Sequence, residues 1–110
     1  MTKSLIGAGD PPPFEKLNPG GEAALLLICD HASCAIPGAL NNLGLAEETL
    51  RDHIGWDIGA AAVTRRLSRL LDAPALLAGY SRLLIDCNRP AGAPDLVPPL
   101  ADGRPVPGNQ

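Results

Sequence analysis

Between Ala23 and Ala78 the chain runs through a short apolar stretch, a segment with helical spacing, and a second short apolar stretch. That order leaves few ways to fold. Ala23-Ala24-Leu25-Leu26-Leu27-Ile28-Cys29 is apolar throughout and too short for a free-standing helix, which suits a strand buried on both faces. From about Asp57 to Leu71, the residues Ala60, Val63, Leu67, Leu70 and Leu71 recur at spacings that put them on one helical stripe. Arg65, Arg66 and Arg69 lie largely off that stripe, and Asp57 stands where an N-cap belongs. Asp72-Ala73-Pro74 ends the helix, and Ala75-Leu76-Leu77-Ala78 begins a second strand. Two strands joined through a helix pair in parallel by a right-handed crossover.

The flanks are less regular. Pro11-Pro12-Pro13 and Asn18-Pro19-Gly20-Gly21 make residues 1–22 an expected irregular arm. Ala46 to about His53 forms a short helix, with Glu47 and Glu48 at its positive end. Gly79-Tyr80-Ser81 is a tight connection to an expected third strand, Arg82–Asp86, which is close enough in sequence to pair only as a hairpin. Six prolines between Pro90 and Gln110 leave no periodic pattern there. The sheet is therefore expected to be mixed, with one face and one edge bare, as in the front part of something larger.

Composition excludes several functions. A net charge of −3 with three aromatic residues gives neither a basic face nor stacking rings for nucleic acid. No apolar run reaches the roughly 18 residues of a membrane span, and the first ten residues are too polar for a signal peptide. Three cysteines set no disulfide framework, so a reduced, cytoplasmic protein with small-molecule ligands is expected. The oligomeric state is left open.

Two short segments carry the chemistry. Cys29-Asp30-His31 ends the first strand with an imidazole beside a carboxylate, and Asn88-Arg89-Pro90 ends the third with a guanidinium fork suited to a carboxylate. Together they point to a metal held by one group and an acidic substrate held by the other, facing a common hollow. Other readings stand beside these. Asp30 is either a partner of His31 or a turn former. Arg89 is either a ligand clamp or the mate of Asp86 or Asp95. His53 is a third ligand, a proton carrier or a helix cap. Cys29, His31 and Cys34 mimic only half of a structural zinc site, and Trp56 is a core or pocket wall.

The blocks Cys29-Asp30-His31-Ala32-Ser33 with Ile36-Pro37, then His53-Ile54-Gly55-Trp56-Asp57-Ile58-Gly59-Ala60, then Tyr80 to Pro90, resemble the N-formylglutamate amidohydrolase family. Val106-Pro107-Gly108-Asn109 resembles the block that follows. The resemblance makes residues 23–110 the truncated N-terminal part of such a domain. It implies an α/β fold with a mixed, mostly parallel sheet and flanking helices, hydrolase-like and related to the zinc carboxypeptidases, incomplete here. It implies Zn²⁺ held by His31 and Asp57, and a substrate carboxylate held by Asn88 and Arg89, with Arg82 a second cation for a dicarboxylate. The expected reaction is release of formate from N-formyl-L-glutamate in histidine breakdown. The alternatives are hydrolysis of another N-acyl amino acid or a cell-wall amide, or an inactive piece that binds an acidic ligand. The resemblance leaves the general acid/base and a further histidine ligand outside this span.

Overall fold

The structure, a computed structural model, describes residues 4–110. Its centre is a three-stranded mixed sheet in the order β1-β3-β2. Strand β2 (Leu27–Cys29) runs parallel to β3 (Ala75–Ala78), with Ile28 opposite Leu76. That is the expected crossover, closed by a helix. The antiparallel member is β1 (Phe14–Leu17), with Phe14 opposite Ala78 and Leu17 opposite Ala75. The segment expected to be an irregular arm thus supplies a strand; its first three residues lie outside the described ones.

Arg82–Asp86 is not a strand. Ser81 is fully buried, and its hydroxyl donates to the Gly55 carbonyl across 2.7 Å while accepting the Leu83 N–H at 3.1 Å. The Leu84 N–H then closes onto the Ser81 carbonyl at 3.0 Å. A side chain that bonds its own backbone this way favours a turn over a ladder. The ladder position beyond β3 is already filled, because the Gly79 N–H donates to the Pro13 carbonyl. A Cβ on Gly79 would sit 2.0 Å from the Pro12 carbonyl oxygen, so only glycine admits that crossing chain.

Helix α1 (Glu47–Arg51) is shorter than the sequence suggests, and α2 (Ala60–Leu71) starts after Gly59 at φ 87°. Asp57 gives no side-chain cap to α2; its carbonyl accepts the Ala60 N–H instead. The larger surprise is which face of α2 is covered. Ala60 and Ala61 pack on the sheet beneath a small core of Cys29, Ala32, Ala75 and Leu77, and Ser68 is buried. Arg65 ties α2 to β1 through a double hydrogen bond to Glu15. Val63, Leu67, Leu70 and Leu71, four residues of the apolar stripe, are exposed, as are Leu25, Leu26 and Ile28. The expected strand Ala23–Cys29, buried on both faces, thus narrows to Leu27–Cys29, and only Cys29 of that strand is buried.

A second core gathers Leu43, Leu50, Ile54, Leu83 and Val106 around the loops. Leu43 is reached through a left-handed stretch, with φ 49°, 57° and 55° at Asn41, Asn42 and Leu43. The proline-rich end is more ordered than expected. Leu100–Ala101 (β4) and Arg104–Pro105 (β5) form a hairpin around Asp102-Gly103, both at positive φ as such a tight turn demands. With two separate cores, the radius of gyration is 14.9 Å, against about 13 Å for a compact domain of this length.

Candidate functional site

The C-terminal end of β2 delivers His31, which is 9% exposed. Its Nε2 lies 2.7 Å from Oδ1 of Asp86, itself 3% exposed, and its Nδ1 lies 3.3 Å from Oδ2 of Asp57. The backbone joins the same groups, because the Asp57 N–H donates to the His31 carbonyl at 3.0 Å. Asp86 also accepts the Asn88 N–H at 2.9 Å and a proton of Arg82 Nη2 at 3.3 Å. Arg82 Nη1 is 3.9 Å from the Asp57 carboxylate.

The charge state of Asp86 fixes the tautomer of His31. Burial works to raise its pKa, but the His31 and Asn88 hydrogen bonds, with the charge of Arg82, bring it below the ordinary carboxylate value. An ionised Asp86 can only accept, so His31 Nε2 carries a proton and donates it. In the neutral ring Nδ1 is then an acceptor, aimed at the carboxylate of Asp57. With that nitrogen unprotonated, the buried imidazole and the exposed carboxylate can share a cation; a proton on it makes the direct pair of His31 with Asp57.

These donors fit a zinc ion in part. Imidazole nitrogen and carboxylate oxygen are both ordinary zinc ligands, and a carboxylate behind the ligating histidine is the usual orienting partner. Asp86 fills the orienting place considered for Asp30, and nothing in the motif spacing singled it out. Three protein ligands are the minimum for a catalytic zinc. Among the described residues no group of three His, Cys, Asp or Glu side chains is placed to hold a metal. Cys29 and Cys34 make no closed site with His31, and Cys87 is exposed.

The substrate-side residues divide between two hollows. His31, Asp57 and Asn88 line an open groove of about 580 Å³ with Ile28, Ala60 and Val63. Arg82 and Arg89 line a neighbouring hollow of about 350 Å³ together with His53, Asp86, Asp95 and Asp102. The single hollow expected for His31 and Arg89 is thus two, separated by a wall of Asp86, Arg82 and Asp57. Arg89 donates from Nε to Asp95 at 2.9 Å and from Nη1 to the Asn88 carbonyl at 3.1 Å, which leaves Nη2 for a ligand. His53 does not approach His31; it bridges Asp102 at 3.1 Å and Asp52 at 3.2 Å, and both bonds hold its pKa above the ordinary value. Trp56 is half-buried and donates Nε1–H to the Arg51 carbonyl, fixing the end of α1.

Residues 23–110 match the profile of the family described as N-formylglutamate amidohydrolase. The chain belongs to that family. Among solved structures it is similar to the crystal structure of gene product Atu2144 from Agrobacterium tumefaciens, at 38% identity and a TM-score of 0.85. The match covers 92% of this chain and 39% of that one, so the chain spans about two fifths of its neighbour's length. A comparison with curated proteins found no significant match. Among the described residues, no helix is long and apolar enough to cross a membrane.

Proposed function

We propose that this chain forms the front part of a zinc-carboxypeptidase-like amidohydrolase that removes formate from N-formyl-L-glutamate, a step of histidine degradation in the cytoplasm. The observation that carries the reading is the convergence of His31 Nδ1 and Asp57 Oδ2, 3.3 Å apart, with the other ring nitrogen locked by a buried carboxylate. His31 and Asp57 would hold Zn²⁺, with the remaining ligand coming from the part of a family domain that this chain does not span. Zinc, when bound, acidifies a water and polarises an amide carbonyl.

The chain's own residues then orient and select. Asp86 holds His31 in the tautomer that leaves Nδ1 free. Arg89 offers its open Nη2 to the α-carboxylate from its own hollow, Asn88 meets the substrate on the groove side, and Arg82 stands at the wall between the hollows as a second cation for a dicarboxylate. Fixing a substrate by its charged ends turns binding into orientation, worth several kcal/mol of barrier. Hydrolysis adds water to the formyl carbon, and the C–N bond breaks with a proton delivered to the leaving amine. No described residue is assigned that proton transfer.

Formate release by the native protein carrying this sequence tests the reading. N-formyl-L-glutamate should be cleaved, N-acetyl-L-glutamate and N-formyl-L-alanine poorly, with activity lost on chelation and restored by zinc. Activity indifferent to chelation would overturn the metal. Preference for an acetyl or uncharged substrate would overturn the specificity. Arg89→Lys should raise KM for the glutamate substrate at least ~10-fold, since one ammonium cannot keep the bonds to Asp95 and the Asn88 carbonyl and still present a donor to the ligand.

A further inference from the structure

Arg89 lies in a loop that folds back on itself. The Arg89 N–H donates to the Asp86 carbonyl at 3.0 Å, the Ala93 N–H to the Pro90 carbonyl at 3.0 Å, and the Leu96 N–H to the Ala93 carbonyl at 3.2 Å. The Asp86 N–H then donates to the Leu96 carbonyl at 2.8 Å, so residues 86–96 form a loop whose ends meet through the backbone. Pro90 and Pro94 each fix a backbone torsion within it, and Asp95 follows Pro94 directly. The closed loop returns Asp95 to Arg89, whose Nε donates to Oδ2 at 2.9 Å. These side chains are 35% exposed for Arg89 and 56% for Asp95, so the pair adds little to stability. What it supplies is direction. A long, flexible arginine presents its planar fork to a ligand only when the head group is held. With Nε on Asp95 and Nη1 on the Asn88 carbonyl, Nη2 alone is uncommitted, and Arg89 lines the hollow of about 350 Å³ beside Arg82.

We propose that Asp95 is a positioning residue for the substrate carboxylate, holding Arg89 by Nε so that Nη2 stays turned to the ligand. This role rests on the reading of Arg89 as the carboxylate clamp. The competing arrangement makes Asp95 an internal stand-in for the substrate, which must be displaced before the fork can bind. Positioning is favoured because Asp95 takes Nε and leaves Nη2 open. A guanidinium has more N–H donors than one carboxylate engages, so a second carboxylate can bind without expelling the first. The backbone closure between Asp86 and Leu96 also keeps Asp95 beside Arg89 whether or not a ligand is bound.

The test is steady-state cleavage of N-formyl-L-glutamate by the native protein carrying this sequence, with KM and kcat read separately. Asp95→Ala should raise KM ~10-fold while kcat stays within about two-fold, the pattern of a lost binding contact. Asp95→Asn keeps an acceptor for Nε and should bring KM back to within ~3-fold of wild type. Both variants should melt with the wild type. A second measurement needs no substrate: the Arg89 Nε–H resonance should be protected from solvent exchange in wild type and Asp95→Asn, and unprotected in Asp95→Ala. Arg89→Ala is the control. If it leaves KM unchanged, the clamp reading falls and the role of Asp95 falls with it. If Arg89→Ala raises KM and Asp95→Ala does not, the clamp stands and only the role of Asp95 is overturned. A lower KM in Asp95→Ala also overturns it, because Asp95 would then compete with the substrate.

Discussion

His31 Nε2 donates to Asp86 Oδ1 across 2.7 Å, and that carboxylate also takes the Asn88 N–H and Arg82. One buried group thereby orients the candidate metal ligand and anchors the turn that carries the candidate clamp. An asparagine there cannot serve all three donors, since its NH₂ would face one of them. Asp86→Asn should weaken zinc binding 10- to 100-fold in a competition titration. It should also lower stability by about 1–3 kcal/mol, because buried donors lose a partner. In the metal-free chain, ¹⁵N shifts of His31 should report the Nε2–H tautomer, and that population should fall in the variant. Unchanged affinity and an unchanged tautomer would remove Asp86 from the site.

The same carboxylate sets an acid limit. Its pKa in the folded state lies below the ordinary 3.8, so the ionised form favours the fold. That stability is present above the unfolded value and is lost as pH falls through the folded one. The urea midpoint of the wild type should drop on acidification from about pH 4 downward, more steeply than that of Asp86→Asn.

His53 has the opposite sign. Its bonds to Asp102 and Asp52 raise its pKa above 6.5. The stability it adds is complete below that value and fades as pH rises through the folded pKa. The group is exposed, so the effect should be small and should shrink further with salt. Melting curves of wild type and His53→Gln should converge on the alkaline side and part on the acid side; equal gaps at all pH values would show that the bridge does not form.

The crossover β2–α2–β3 was legible because the chemistry is local. Short apolar runs, a 3.6-residue period and Pro74 mark it, and β3 begins and ends where the pattern predicts. Phe14–Leu17 was not legible, since a four-residue strand framed by prolines gains its shape only from β3. The hairpin at Asp102-Gly103 carried a usable turn signal that the surrounding prolines obscured. The α2 stripe is apolar as its spacing indicates, yet most of it is exposed, because periodicity reports a preference and not a partner. At the site, His31 and Asp57 are brought together as their blocks suggest. Asp86 was overlooked because its role depends on burial, which a motif of consecutive residues does not reveal. The predicted strand Arg82–Asp86 is replaced by a turn around Ser81, with its place beside β3 taken by β1.

That residue yields the last expectation. Ser81 has no exposure, and its hydroxyl both donates to Gly55 and accepts from Leu83, while its own N–H donates to the Ala35 carbonyl. Three segments meet at one side chain: the loop after β2, the block ending at Asp57, and the turn that carries Arg82 and Asp86. Ser81→Ala keeps the volume nearly constant but leaves the Gly55 carbonyl and the Leu83 N–H without that partner in a dry site. The cost should be about 1–3 kcal/mol, read as a lower melting temperature. Ser81→Thr keeps the hydroxyl but must place an extra methyl where there is no room, at a further ~1–3 kcal/mol if the neighbours do not yield. Amide exchange should locate the damage: protection lost at Leu83, Leu84 and Asp86, and retained in β3. Uniform loss across the sheet would mean that Ser81 supports the whole fold rather than the turn that presents the site.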